Sequence, residues 1–481
     1  MEVVLHIANR AAAGWALIRT DMATTTFTEQ LTNFLMKLRF EDIPDPTRSR
    51  CIDLILDHLA VSIAGTDLPW TKALKRYAAA QRTTGSAVIY GAGRTSADIA
   101  ALVNGTMAHG IELDDTHERS VSHPGAVVIS TALALAQELD VDDQALITAI
   151  VAGYEAMGRI GAAFDPEYMA RGSHPTANHG VFGASAVAGK LLGLSSLQLN
   201  MAWGIASSMN SGSMAFTEDP LGTMVKRLHA GWPAHSGIVA SKLAMLGFTG
   251  PRNTLDTKKG YLGRNSPNAN RASIVEGLGV QWVIDEISIK PYACCRLFHS
   301  SIDAIEQLKA EHSLKPDDVE HVVVRSCRPA IDGHMEYRPE SVMSAQYSLP
   351  FSIAVALCGS AGDPAQFSEE SLKNSSTLNL ADRVTAEVSD ELDALFPQKY
   401  AGSVAIQLRD GTKLEATVLD CSGSAANPLD RNAIEKKFNI LTAAQLNPSQ
   451  QAAFLACIRG MPSTRSMHAL STLLIGEDHE G

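Results

Sequence analysis

Gly180-Val-Phe-Gly-Ala-Ser-Ala-Val-Ala-Gly-Lys190 is built almost wholly of glycine, alanine and serine around a few apolar side chains. Glycine costs a helix ~1 kcal/mol relative to alanine, so such a run stays helical only where close packing compensates. Ala206-Ser-Ser-Met-Asn-Ser-Gly-Ser213 reads the same way, and both point to a dense all-helical core. Working outward, Asp45-Pro46 starts a helix in which Ile52, Ile55, Leu59 and Ile63 recur at helical spacing until Gly65. Further starts fall at Ser96, before Ile99 to Val103, and at Asp142-Asp143, before Leu146 and Ile147. The pattern is mostly helical from Phe27 to about Val283.

Its character changes after Ile284. Val322-Val323-Val324 reads as a short strand, and Val404, Ile406 and Leu408 alternate up to Asp410-Gly411, with Leu414, Ala416 and Val418 beyond it. That is a β-hairpin with a turn dipeptide suited to positive φ. After Pro428 helical signals return with Ile434, Phe438 and Ile440, then Phe454, Leu455 and Ile458. The expected fold class is mainly α, a large helical domain carrying an inserted, smaller α+β lid. The expected divisions are an N-terminal extension (1–26), a helical domain (27–286), the α+β lid (287–426) and C-terminal helices (427–481) that rejoin the first domain. Clefts between such units are common ligand sites.

A chain of 481 residues exceeds one simple core, and 45% hydrophobic with 19% charged residues is ordinary globular composition. A net charge of −12 argues against nucleic-acid and anionic-membrane partners, and the apolar stretch Ala126 to Ala136 is too short to span a bilayer. The seven scattered cysteines lack repeated C-x-x-C spacing, which suits a reducing compartment. A cytoplasmic location is therefore expected, with a mitochondrial one as the alternative if the N-terminal extension is a targeting segment.

Chemistry concentrates in Ala108 to Gly125, where His109, His117 and His123 stand among Glu112, Asp114, Asp115 and Glu118. Groups that titrate near neutrality beside carboxylates suit proton transfer; a solvated acidic loop is the plainer alternative. A metal site at Asp114, Asp115, His117 and His123 is disfavoured, because no recognised ligand spacing is present. Asp114 and Asp115 suit structural bonds to turn amides. His174, His179, His229 and His235 follow within the helical region. Two acid-free cationic segments stand out: Gly222 to His235, with Lys226, Arg227 and His229, and Ile287 to His299, with Lys290 and Arg296. Unpaired cations of this kind suit carboxylate recognition. Cys294-Cys295 fits a buried apolar role rather than an iron–sulfur cluster. Gly91-Ala92-Gly93 lacks the remaining features of a dinucleotide loop.

His109-Gly-Ile-Glu112-Leu-Asp114-Asp115-Thr116-His117, His123-Pro-Gly125, the Gly183 helix after His174, Met224-Val-Lys226 and Lys290-Pro-Tyr292-Ala-Cys-Cys together resemble the MmgE/PrpD family. The resemblance runs from about Phe27 to Leu474. It implies a homodimer with no required cofactor or metal, acting on a small polycarboxylate. It also implies an active site with His123, His174 and Glu112 as catalytic groups and Thr116, Lys226 and Lys290 as substrate-binding groups. Glu112 stands where the family usually has aspartate, Cys295 where animal decarboxylases of the family have histidine, and Ile331 near the position of their lid tyrosine. The Glu-Leu-Asp-Asp and Tyr-Ala-Cys-Cys versions are similar to those of the fungal cis-aconitate decarboxylases. The implied reaction is decarboxylation of cis-aconitate to itaconate. Dehydration of 2-methylcitrate, epimerisation of the iminodisuccinate type and carboxylate binding without catalysis are the alternatives.

Overall fold

A computed structural model describes residues 25–164, 167–219, 223–463 and 467–475. Most of the expected N-terminal extension lies outside the described residues. The first helices are α1 (Phe27–Lys37) and α2 (Asp45–Ala64), the latter opening with Pro46 in its first turn and stopping at Gly65. After α3 (Pro69–Gln81), Gly91 and Gly93 turn a small hairpin, β1 (Ala87–Ile89) with β2 (Gly93–Thr95). Both glycines have positive φ, so this segment is a hairpin turn.

The core is a set of closely crossed helices: α4 (Ala97–Ala108), α5 (Pro124–Leu139), α6 (Asp143–Ala162), α7 (Pro175–Leu191), α8 (Ser196–Met209) and α9 (Val225–Met245). Asp142 caps α6 by accepting the Ala145 amide. Every residue of α7 from Pro175 to Gly189 is buried, and α7 packs on α5, α6, α8 and α9. Small residues set the spacing. A methyl on Gly153 of α6 would meet Val187 of α7 and Val128 of α5 at 2.5 and 2.7 Å, and one on Gly105 of α4 would meet the Gly231 Cα of α9 at 2.9 Å. The second small-residue run behaves differently. α8 stops at Met209, and Asn210 to Ser213 leave the helix; the Gly212 carbonyl accepts the His174 amide at 3.0 Å, and Ser213 bridges Ser173.

The mainly α class with a smaller α+β region is what the structure has. In that region α10 (His299–His312) lies against a four-stranded sheet and is backed by α11 (Leu349–Cys358). The strands are β3 (Val319–Ser326), β4 (Val384–Val388), β5 (Gly402–Leu408) and β6 (Lys413–Val418), in the order β4-β3-β5-β6. β3 is parallel to β4 and antiparallel to β5, and the β5–β6 hairpin pairs Val404 with Ala416 and Ile406 with Leu414, all buried. Gly411 turns it with φ of 91°.

The chain then forms α12 (Arg431–Thr442), α13 (Pro448–Arg459) and α14 (His468–Ile475). α12 packs on α2, and Lys437 donates to Asp57 at 2.6 Å and to the Leu113 carbonyl at 2.9 Å. Ile440, read with the apolar face, is exposed, because that face is carried by Ile434, Phe438 and Leu441. Among the described residues no helix is long and apolar enough to cross a membrane. All seven cysteines are free thiols.

Candidate active site

The acidic, histidine-rich loop joins α4 to α5 and is buried from His109 to His117, so it is not a solvated turn. Three anchors hold it. Asp115 accepts the Gly125 amide at 2.8 Å and the Tyr154 hydroxyl at 2.5 Å, the structural role expected of it. Thr116 exchanges backbone hydrogen bonds of 2.9 and 2.8 Å with Ser288, which draws the segment carrying Lys290 against the loop. Lys437 holds Leu113. Glu112, at the tightest point, has φ of 57°, a conformation that costs a residue with a Cβ of order 1 kcal/mol or more and clusters at functional sites.

Two groups of side chains meet here. In the first, Glu112 is the common partner of three cations: Lys226, Arg227 at 2.6 Å and Lys290 at 3.6 Å. All four side chains are buried. Lys226 and Arg227 occupy the first turn of α9, where the helix dipole opposes positive charge. Burial, then the charges of Arg227 and Lys290, push Lys226 well below its ordinary value. Burial likewise lowers Arg227 and Lys290. Anions are what this cluster lacks, and Glu112 supplies one. Arg227 also donates to the His109 carbonyl at 3.3 Å and to Gln346 at 3.1 Å, while Gln346 donates to the Ile111 carbonyl at 3.0 Å. The Lys226 ammonium sits 5.1 Å from the centroid of the Tyr347 ring.

The second group is histidine. His123 and His174 occupy equivalent places, each the residue before a helix whose first position is proline, Pro124 of α5 and Pro175 of α7. The Thr176 hydroxyl accepts the His123 amide at 3.1 Å and ties the two ends together. Asp114 lies 2.6 Å from His109 Nδ1 and 3.3 Å from His123 Nδ1. His174 and His229 meet through their Nδ1 atoms at 3.1 Å, so one ring carries a proton there and the other a lone pair. Phe216 closes on both rings.

Of the six residues singled out in the sequence, Glu112, Lys226 and Lys290 come together, and His123 and His174 line the neighbouring histidine group. Glu112 does not touch a histidine; its partners are the cations, and the carboxylate beside the histidines is Asp114. The Thr116 hydroxyl faces Glu118 at 3.5 Å rather than the cations. Gln346 and Tyr347, from the smaller α+β region, carried no sequence signal; Arg227 and His229 were visible only as members of an acid-free segment. His109, Asp114 and His123 each offer one donor atom within 4.8 Å of the others, a donor set that could hold a metal ion. A cavity of about 230 Å³, lined by residues including His117, Glu118, Ser288, Arg296 and Tyr400, meets the loop at His117 to Arg119, away from the buried lysines.

Burial of so many imidazoles has a thermodynamic consequence. Desolvation lowers His58, His109 and His179 to about 3 and His229 to about 4, and also lowers His174, His299 and His334. Below pH ~6.5 the unfolded chain therefore takes up protons that the native chain refuses, and stability falls as pH falls. Asp115, raised to about 7 by burial, works in the opposite sense, as do the raised Asp53, Asp57, Glu155 and Asp285. Between pH 6.5 and 5.5 the imidazoles should dominate. Each uncompensated one contributes on the order of 1 kcal/mol per pH unit. Thermal unfolding should show a falling Tm over that window, and a flat or rising Tm would contradict it.

Residues 29–271 match the MmgE/PrpD N-terminal domain and residues 292–461 the MmgE/PrpD C-terminal domain. The chain belongs to the MmgE/PrpD family. It is 28% identical to a cis-aconitate decarboxylase of Aspergillus terreus over 89% of this chain and 91% of that protein. It is 26% identical to the human cis-aconitate decarboxylase over 95% and 96%, and 26% identical to a cis-aconitate decarboxylase-like protein, oryM, of Aspergillus oryzae over 94% and 97%. The family resemblance read from the loop, the two lysine segments and the His-Pro motifs is thus borne out along nearly the whole chain.

Proposed function

We propose that the protein is a cofactor-independent lyase that decarboxylates cis-aconitate to itaconate. The observation that carries this reading is the contact, through one short loop, of a buried cation cluster with a largely buried histidine cluster. Lys226, Lys290 and Arg227 supply positive charge for a substrate carrying several carboxylates, and histidines beside them supply a proton for carbon. In the reaction the bond from the methylene carbon to its carboxylate breaks and CO2 leaves. The freed pair forms the new double bond, while the old π pair takes a proton at the alkene CH from an imidazolium, His123 or, once the substrate's carboxylates offset its burial, His174. The imidazole then regains a proton from solvent. A proton placed by a fixed side chain contributes about 10²–10⁴-fold, and holding the carboxylates in line supplies much of the remainder.

The reaction is tested by incubating purified, chelator-treated protein with cis-aconitate, trans-aconitate, 2-methylcitrate, citrate and iminodisuccinate, and following products by NMR. Itaconate from cis-aconitate alone is the expected result. Loss of water from 2-methylcitrate, or solvent deuterium entering iminodisuccinate without loss of CO2, would replace the reading with a dehydratase or an epimerase. Tight binding without turnover would make the protein a carboxylate binder, and activity restored by added metal would end the claim of cofactor independence.

A further inference from the structure

Asp114 stands between two imidazoles. Its carboxylate is buried, its ion pairs among the described residues are with the two imidazoles His109 and His123, and Oδ1 has no hydrogen-bond partner. The His109 contact, at 2.6 Å, is a short hydrogen bond. The His123 contact, at 3.3 Å, is of ion-pair length and off hydrogen-bond alignment, since His123 Nδ1 has no hydrogen-bond partner. The two rings lie edge to face with centroids 4.8 Å apart. One carboxylate oxygen therefore faces two Nδ1 atoms. Catalytic hydrogen bonds are often long before substrate binds and tighten afterwards.

We propose that Asp114 is the positioning residue of the acid–base machinery, shared between His109 and His123, and that His109 holds the carboxylate in place for His123. Both rings then carry their proton on Nδ1, which leaves His123 Nε2 as the atom that exchanges a proton with substrate carbon. When His123 is charged, the carboxylate shifts onto it; when His123 is neutral, His109 keeps the carboxylate ordered. Asp114 stays ionised throughout and never takes the transferred proton, as in other His–carboxylate pairs. Burial by itself would raise Asp114, but the charges of His123 and His109, with the hydrogen bond from His109, hold it well below the usual carboxylate range. The other charged or titratable groups acting on this site among the described residues are Asp57, Asp115, His58, His174, Arg227, Lys226, Lys290 and Tyr347. The inference rests on the reading of His123 as an acid–base group, and it assigns the carboxylate role to Asp114 instead of Glu112.

The test is Asp114→Asn beside Asp114→Glu in the full chain. With cis-aconitate, Asp114→Asn should lower kcat by about 10²–10⁴-fold with little change in KM. The pKa of the essential imidazolium in the pH profile of kcat should fall by about one unit or more, because a nearby negative charge favours the charged ring. Asp114→Glu should recover part of both effects. A folded Asp114→Asn protein with kcat within about threefold of the parent, or a slow one whose pH profile is unmoved, would overturn the proposal. Histidine ¹⁵N NMR gives a readout that needs no turnover. His109 and His123 should both be Nδ1–H tautomers in the parent and lose that uniformity in Asp114→Asn. Unchanged tautomers would overturn the proposal whatever reaction the protein catalyses, and absent turnover with changed tautomers would count against the assigned reaction alone.

Discussion

His123→Ala and His174→Ala should each lower turnover at least about a hundredfold while leaving the protein folded. The bound is the lower end of what a positioned general acid or base contributes. Both side chains sit at helix starts already fixed by proline, and the helix-entry bonds at these positions run through backbone rather than imidazole: the His123 amide to Thr176 and the His174 amide to Gly212. Truncation therefore removes the ring without freeing the helix end. The outcomes should differ in kind. His123 is partly exposed and faces Asp114, so its loss should act on kcat with few other consequences. His174 is buried against His229 and Phe216, so its loss should also lower Tm and leave His229 Nδ1 without its partner. Steady-state kinetics on melt-checked proteins decide the matter. A folded variant with near-parental kcat would remove that histidine from the mechanism.

Gly231→Ala should destabilise the protein by about 3 kcal/mol or more. On propensity alone the change should help, since alanine exceeds glycine in a helix by ~1 kcal/mol. Yet the new methyl would press on the Leu102 carbonyl and the Thr106 hydroxyl of α4, closer than van der Waals contact allows. The obstruction is largely backbone, so there is little flexible side chain to yield. Overpacking of a filled core costs typically ~1–3 kcal/mol, and here relief requires α4 and α9 to move apart. That movement carries Lys226 and Arg227 away from the loop, so substrate binding should weaken together with stability. A Tm within about 2 °C of the parent would contradict the expected clash between α4 and α9.

Much of the helical body was legible from local signals because several of its helices announce themselves. Asp142 caps, Pro46 starts, Gly65 stops, and the small-residue run of α7 has no other use than close crossing. The β5–β6 hairpin was legible for the same reason, its alternation meeting at Asp410-Gly411. β4 was not, because a short strand whose partner β3 lies about sixty residues earlier in the chain leaves only Val-Thr-Ala-Glu-Val to read. The site divides likewise. Residue types and the two lysine segments could be found in the chain, but pairing could not. Glu112 and Asp114 are two residues apart in one loop, and nothing local says that the first faces lysines while the second faces histidines. The positive φ of Glu112 turns the chain between them. Gln346 and Tyr347 reach the same loop from more than two hundred residues away, a proximity that only the folded chain shows.

The hold of Lys437 on the Leu113 carbonyl has a temporal meaning. The loop between Glu112 and Asp114 is held by a side chain made more than three hundred residues later, on a helix that also pairs with Asp57 of α2. During synthesis the helical body can gather its crossings early, while the acid–base loop lacks one of its anchors until α12 has left the ribosome and docked. The fully anchored loop thus forms only after α12 has been made. A nascent chain that has not yet made α12 therefore carries this loop with one of its holds missing.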